Sequence, residues 1–117
     1  MTLDTTITRA EPGLVVVAFA GELDISRTEE AELELERVEA GGPDILVLDL
    51  RGLEFLDSSG LRVILGADTR ARRAGRSVVI VRGSEKVQRV FSITLLDRRF
   101  DFVDDPEDVR GRRESDD

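Results

Sequence analysis

The sequence has no cysteine, no histidine, no tryptophan and no tyrosine, and its single lysine is Lys86. The lack of cysteine excludes a disulfide framework, a thiolate zinc site and a cysteine nucleophile, and it fits a reducing compartment. Without histidine, a serine nucleophile would lack its usual general base. Five phenylalanines are the only aromatic residues, so the chain has little with which to stack on bases or sugars.

The charge is acidic overall, with 17 basic and 25 acidic residues and a net charge of -8. Because nucleic-acid-binding proteins usually present a basic face, we expect no direct nucleic-acid partner. The charge is also uneven: residues 26–40 hold six glutamates and two arginines, whereas residues 61–76 hold five arginines and one aspartate. Such runs usually mark solvated faces, but they also offer a partner one acidic and one basic helix.

The N-terminal residues do not have the pattern of a targeting segment. Residues 1–5 lack the basic and then apolar pattern of a signal peptide, and the longest apolar run, 14–20, is too short to cross a bilayer. We therefore predict a soluble cytoplasmic protein without a membrane partner. A chain of 117 residues suits one domain that buries roughly two-thirds of its unfolded surface. We predict this domain over residues 1–108, with a polar tail over 109–117.

Apolar runs alternate with amphipathic segments along the chain, which predicts an α/β fold. We expect a mixed, mostly parallel sheet of about five strands, with about four helices. The N-terminal strand should pair antiparallel with the second strand, because a turn signal at residues 11–13 separates them. The predicted strands cover residues 3–8, 14–20, 45–50, 77–81 and 100–103.

The helix starts are predicted from capping residues. Ser26 and Glu29 have the spacing of a capping box, Gly83 and Ser84 precede the third helix, and residues 104–106 could begin a final short helix. The second helix should follow a serine loop, with Gly75 as its stop. Residues 51–56, before that loop, are predicted to be irregular.

The serine loop, Phe55-Leu56-Asp57-Ser58-Ser59-Gly60-Leu61, is the most informative segment. Sites in open α/β sheets lie at the carboxyl ends of strands, so Asp24 and Asp57 should lie near Ser58 if the second and third strands are neighbours. On residue types alone, a helix cap at Asp57 or Ser58 is the favoured interpretation. A catalytic base and a phosphate-cradling glycine loop are both missing. We predict no enzyme activity, no cofactor and no metal site.

The chain resembles a STAS domain of the anti-sigma factor antagonist type from residue 3 to about residue 108. Gly21-Glu22-Leu23-Asp24 is similar to that family's second-strand exit, and the serine loop is similar to its phosphorylation loop. Residues 87–98 resemble its third helix and exit, although Leu95 stands where many relatives have glycine.

The resemblance implies a partner-switching protein. The unphosphorylated form would bind an anti-sigma factor that is itself a serine kinase and so release a sigma factor; the kinase would phosphorylate Ser58, and a protein phosphatase would reset the chain. We expect a monomer or a weak homodimer. The residues that the resemblance implies for partner binding are Asp24, Asp57, Ser58, Ser59, Gly60, Leu61 and Arg62.

Two alternatives remain at this point. The chain could be a STAS scaffold module of a stressosome-like or transporter-associated complex, without phosphorylation. It could also be a phosphoaspartate receiver domain, with Asp49 near the end of the third strand. A receiver needs an acidic pair after its first strand and a lysine after its last strand, and Lys86 is not in that place.

Overall fold

A computed structural model describes residues 2–109 and shows alternating strands and helices. A short 3-10 helix, Ile25–Arg27, precedes the first α-helix, and residues 106–109 are helical where the described chain ends. The strands and α-helices are β1 (Leu3–Glu11), β2 (Leu14–Leu23), α1 (Thr28–Glu39), β3 (Ile45–Leu56), α2 (Ser58–Arg73), β4 (Ser77–Val81), α3 (Glu85–Ile93) and β5 (Asp101–Val103).

The five strands form one sheet in the order β1-β2-β3-β4-β5. β1 is antiparallel to β2, and the other neighbours are parallel, which confirms the predicted mixed sheet. The parallel strands follow one another in sequence order, and crossovers between parallel strands are right-handed. The connecting helices therefore lie on one face of the sheet. Within the described residues, none of the helices is long and apolar enough to span a lipid bilayer.

The main core lies between the sheet and the three α-helices. Each helix contributes fully buried side chains, including Leu35 from α1, Ile64 from α2 and Phe91 from α3. β2, β3 and β4 contribute the sheet side of this core. Their continuous apolar runs are typical of parallel strands that are buried on both faces.

A smaller cluster covers the opposite face of the sheet, and it includes Val109, which is only 1% exposed. Val109, the last described residue, therefore packs against this face of the sheet. The remainder of the predicted tail, residues 110–117, lies outside the described part of the chain.

The start of α1 differs from the predicted capping box. Arg27 occupies the N-cap position of α1 and makes no side-chain capping bond. Asp24 instead caps the preceding 3-10 helix, accepting a hydrogen bond from the Ser26 amide at 3.0 Å. An aspartate that bonds the backbone two residues ahead forms its own turn, so the chain turns earlier than the Ser26 and Glu29 spacing predicts.

Residues 51–56 were predicted to be irregular, and this prediction is wrong because β3 continues to Leu56. The extension pairs with β2, from Ala20 opposite Gly52 to Leu23 opposite Leu56, and the register shifts once just before this stretch, between Ala18 and Ala20, and once within it, between Gly21 and Glu22. These shifts interrupt the alternation of apolar residues that identifies a strand in sequence.

The end of α3 forms a Schellman motif around Leu95. The Leu95 amide donates to the Ser92 carbonyl at 3.1 Å, and the Leu96 amide donates to the Phe91 carbonyl at 2.8 Å. This motif requires a left-handed residue and usually uses glycine, yet Leu95 holds it at φ 62° with its side chain 80% exposed. Gly75 performs the same role after α2 at φ 72°, as predicted.

Candidate functional site at the start of helix α2

The site is built where β2 and β3 end side by side. Leu23 and Leu56 are register partners in the parallel pair, so Asp24 and Asp57 leave the sheet at the same level. The Asp57 amide donates to the Leu23 carbonyl at 3.4 Å. The predicted neighbourhood of the two strands is therefore correct, and Ser58 follows at once as the first residue of α2.

Asp57 connects two structural elements through its carboxylate. Oδ1 accepts from the Gly60 amide at 2.9 Å, which caps α2, and Oδ2 accepts from the Ile25 amide at 3.1 Å. The Asp57 carbonyl accepts the first helical bond, from the Leu61 amide at 2.9 Å. Capping is thus the role of Asp57, and its second bond holds the 3-10 helix against the start of α2.

Asp24 lies at the same edge of the sheet, and its carboxylate bonds to a residue two positions further along the chain. Its Oδ1 accepts from the Ser26 hydroxyl at 2.6 Å as well as from the Ser26 amide. These bonds, chiefly the one from the hydroxyl, hold the pKa of Asp24 below its ordinary value. Asp24 is therefore a stable negative charge beside the helix start.

The two serines differ in exposure. The Ser58 side chain is exposed, whereas Ser59 is half-buried. Neither amide has an acceptor among residues 2–109, since the Asp57 cap takes the Gly60 amide and not these two. Free amides and the helix dipole favour an anion at this end of a helix. An anionic group on the Ser58 oxygen would therefore meet a favourable local field.

Gly60 and Leu61, which are among the residues predicted to bind a partner, are buried in the domain. A Cβ atom on Gly60 would overlap the Leu23 carbonyl oxygen and lie 2.8 Å from Cδ1 of Leu56. The absence of a side chain lets the first turn of α2 pack closely against the end of β2. The close packing at Gly60 thus fixes the position of the helix start that carries the exposed Ser58.

A groove of about 470 Å³ lies at the edge where β2 and β3 end, and it was not predicted from the sequence. Phe55, 38% exposed, forms its apolar part, and the Lys86 ammonium lies 5.7 Å from the Phe55 ring centroid, a distance typical of a cation-π contact. The other lining residues are Glu22, Asp24 and Glu54. Lys86 reaches this groove from α3, so no local sequence signal could have placed it there.

A second, smaller cavity of about 210 Å³ lies beside the serines, with Ser59 in its lining. Ile25 projects there and is 74% exposed, and the predicted binding residues Ser59 and Arg62 line the same cavity. In the sequence, Ile25 stands between Asp24 and Ser26, just after the second strand. This isolated apolar residue in a polar loop was a signal that could have identified the exposed apolar position.

The receiver-domain interpretation is not supported at Asp49. Asp49 is 6% exposed, and its carboxylate accepts two hydrogen bonds from the Arg51 guanidinium, at 3.0 Å from Nε and 2.8 Å from Nη2. A bidentate arginine occupies both carboxylate oxygens. In the part of the chain that the structure describes, no three acidic residues come together as a metal site.

Comparison with known proteins identifies the family. The STAS domain family model matches residues 5–109. The anti-sigma-F factor antagonist RsfB of Mycobacterium tuberculosis is 31% identical over 88 residues, which cover 75% of this chain and 71% of RsfB.

Solved structures share the fold. The crystal structure of an anti-sigma factor antagonist from Mycobacterium paratuberculosis has a TM-score of 0.80 and 27% identity, over 95% of this chain and 93% of that one. The anti-sigma factor antagonist SpoIIAA in its unphosphorylated form also has a TM-score of 0.80, at 20% identity, over 95% of this chain and 97% of that one. The chain therefore belongs to the STAS domain family and is related, within it, to the anti-sigma factor antagonists.

Proposed function

We propose that this chain is an anti-sigma factor antagonist that is switched by phosphorylation of Ser58. In its unmodified form it binds an anti-sigma factor with serine kinase activity, which frees a sigma factor in the cytoplasm. Phosphorylation by that kinase dissociates the pair, and a protein phosphatase restores the binding form. The observation that carries the proposal is the exposed Ser58 at the first position of α2, whose hydroxyl a kinase can reach.

The surroundings of Ser58 suit a protein partner. Exposed apolar side chains lie near the serine, Ile25 in one cavity and Phe55 in the other. Buried apolar anchors supply much of the binding energy of protein interfaces, and charged residues at the rim set specificity. Asp24, whose lowered pKa keeps it ionised, is such a rim charge.

A phosphate on Ser58 would be accepted by the domain but not by the interface. Within the domain, the free first-turn amides of α2 favour the anion. At the interface, about 1.5 to 2 negative charges would be added beside Asp24, on a surface that the partner must desolvate. A penalty of about 3 kcal/mol would weaken binding more than a hundredfold.

The test compares binding of three variants to the kinase by calorimetry. Ser58→Ala should bind like the wild type and Ser58→Asp should bind at least tenfold more weakly. Ser59→Asp, one residue along the same helix, measures how far the loss depends on the position of the added charge. Since Ser59 is half-buried, the far-UV circular dichroism of each variant must first match the wild type.

Phosphate mapping by mass spectrometry, after incubation with kinase and ATP, completes this test. The proposal expects the modification on Ser58. Phosphate found only on Ser59 would refute the assignment. Equal affinities of Ser58→Ala and Ser58→Asp would instead favour the STAS scaffold function without a phosphoswitch.

A further inference from the structure

Arg62 and Arg73 are the arginines of α2 that are exposed and form no ion pair with a carboxylate of residues 2–109, and of the two Arg62 lies at the serine end of the helix. Further along the helix, Arg70 pairs with Glu39 at 2.6 Å and Arg72 pairs with Asp68 at 2.9 Å. Those two arginines stabilise the domain. Arg62 has no such role, although it lies beside the proposed phosphorylation site.

The helix places Arg62 next to Ser58. The two residues are four positions apart on α2, and side chains at this spacing lie one turn apart on the same face, with Cβ atoms about 5–6 Å apart. The arginine side chain is long enough to reach a phosphate on the serine oxygen, and its planar guanidinium matches phosphate oxygens in a bidentate arrangement.

The other charges around Ser58 leave Arg62 as the favoured counterion. The Asp57 carboxylate is occupied by the Gly60 and Ile25 amides, and it repels a phosphate. The second cation of the site, Lys86, lies over the Phe55 ring in a groove that also contains acidic side chains. Arg62 is attached to the same helix as the serine. Glu32 of α1 lines the same cavity as Arg62, but among residues 2–109 it forms no ion pair with the guanidinium, so Arg62 can turn to the phosphate.

We propose that Arg62 is the internal counterion of phosphorylated Ser58. The inference rests on the proposed function, in which Ser58 is the modified residue, and it adds a second element to the switch. In the unmodified chain, Arg62 presents a free positive charge on the partner-binding surface. After phosphorylation, the guanidinium turns to the phosphate, so the surface gains a dianion and loses a cation in one step.

The test measures the second pKa of the phosphoserine by phosphorus NMR, on protein in which phosphoserine is incorporated at position 58 during translation. That pKa is ordinarily about 6, and a cation at this spacing lowers it because it favours the dianion. Arg62→Ala should raise it by about 0.4 relative to the parent phosphoprotein. The phosphate pKa of Arg62→Lys should lie between those of the parent and of Arg62→Ala, and 0.5 M salt should reduce the pKa difference between the parent and Arg62→Ala.

Arg73→Ala is the matched control, because it removes the same charge from an exposed position at the other end of α2. At 1.5 Å per residue, position 73 lies about 22 Å along the helix axis from Ser58. It should leave the phosphate pKa unchanged. An equal shift from Arg62→Ala and Arg73→Ala would overturn the inference, and so would a shift from Lys86→Ala alone. Because no kinase is used, a kinase that fails to modify Ser58 would refute the proposed function without altering this titration.

Discussion

Alanine at Gly60 and alanine at Gly66 should change the stability of the domain in opposite directions. Both glycines lie within α2, where replacing glycine by alanine gains about 1 kcal/mol of helix propensity. The surroundings differ. A Cβ on Gly66 would have the Nη1 atom of Arg70 as its nearest neighbour, at 3.1 Å, whereas a Cβ on Gly60 would meet the Leu23 backbone and the Leu56 side chain.

The magnitude follows from which neighbour can move. The Arg70 guanidinium is bonded to Glu39 through Nε and Nη2, but Nη1, the atom near Gly66, takes no part in these bonds and needs to shift by only a few tenths of an ångström. We therefore expect Gly66→Ala to stabilise the domain by about 0.5–1 kcal/mol. The Leu23 carbonyl belongs to β2, which is paired on both sides, and it cannot retreat cheaply. Overpacking costs typically about 1–3 kcal/mol. Gly60→Ala should therefore destabilise the domain by about 1–2 kcal/mol despite the better helix former.

Urea denaturation monitored by far-UV circular dichroism provides the measurement, because the chain has no tryptophan or tyrosine for intrinsic fluorescence. The midpoint should rise for Gly66→Ala and fall for Gly60→Ala, with similar slopes. If both variants were stabilised equally, the close packing of α2 on β2 at Gly60 would not be a real constraint. The account of how Ser58 is positioned would then be wrong.

Two further predictions concern the ends of helices. Leu95→Gly should stabilise the domain by up to about 1 kcal/mol, because a non-glycine residue in the left-handed conformation costs roughly 1–2 kcal/mol and glycine loses part of that gain to its larger unfolded-state entropy. Leu95→Ala should leave the urea midpoint nearly unchanged. If alanine raised the midpoint as much as glycine, the effect would come from removal of the leucine side chain and not from the backbone. Asp24→Asn should lower stability near neutral pH. Because the pKa of Asp24 is lowered in the folded chain, its stabilising contribution is present above the unfolded pKa of about 3.9 and is lost as the pH falls towards the folded pKa. The wild-type and Asp24→Asn urea midpoints should therefore converge in acid, and a constant difference across pH would contradict this role.

Local sequence patterns determined the order and type of most elements. The residues 77–81 were predicted as a strand and form β4, and Ser84 caps α3 as expected, with its hydroxyl accepting from the Val87 amide at 3.3 Å. Periodicity and capping are interactions between residues a few positions apart, so they can be read directly from the chain. The capping role of Asp57 was predictable for the same reason.

The surface around Ser58 was decided by the tertiary structure. Lys86 reaches the Phe55 ring from a different helix, and Ile25 is held beside the serines by a bond to Asp57, 32 residues away in sequence. The burial of Gly60 likewise depends on the approach of α2 to β2. These contacts join residues that are distant along the chain, and their geometry is set by strand register and helix packing. The sequence alone thus identified a serine at a capped helix start, and the packing of β2, β3 and α3 around it determined which side chains share its surface.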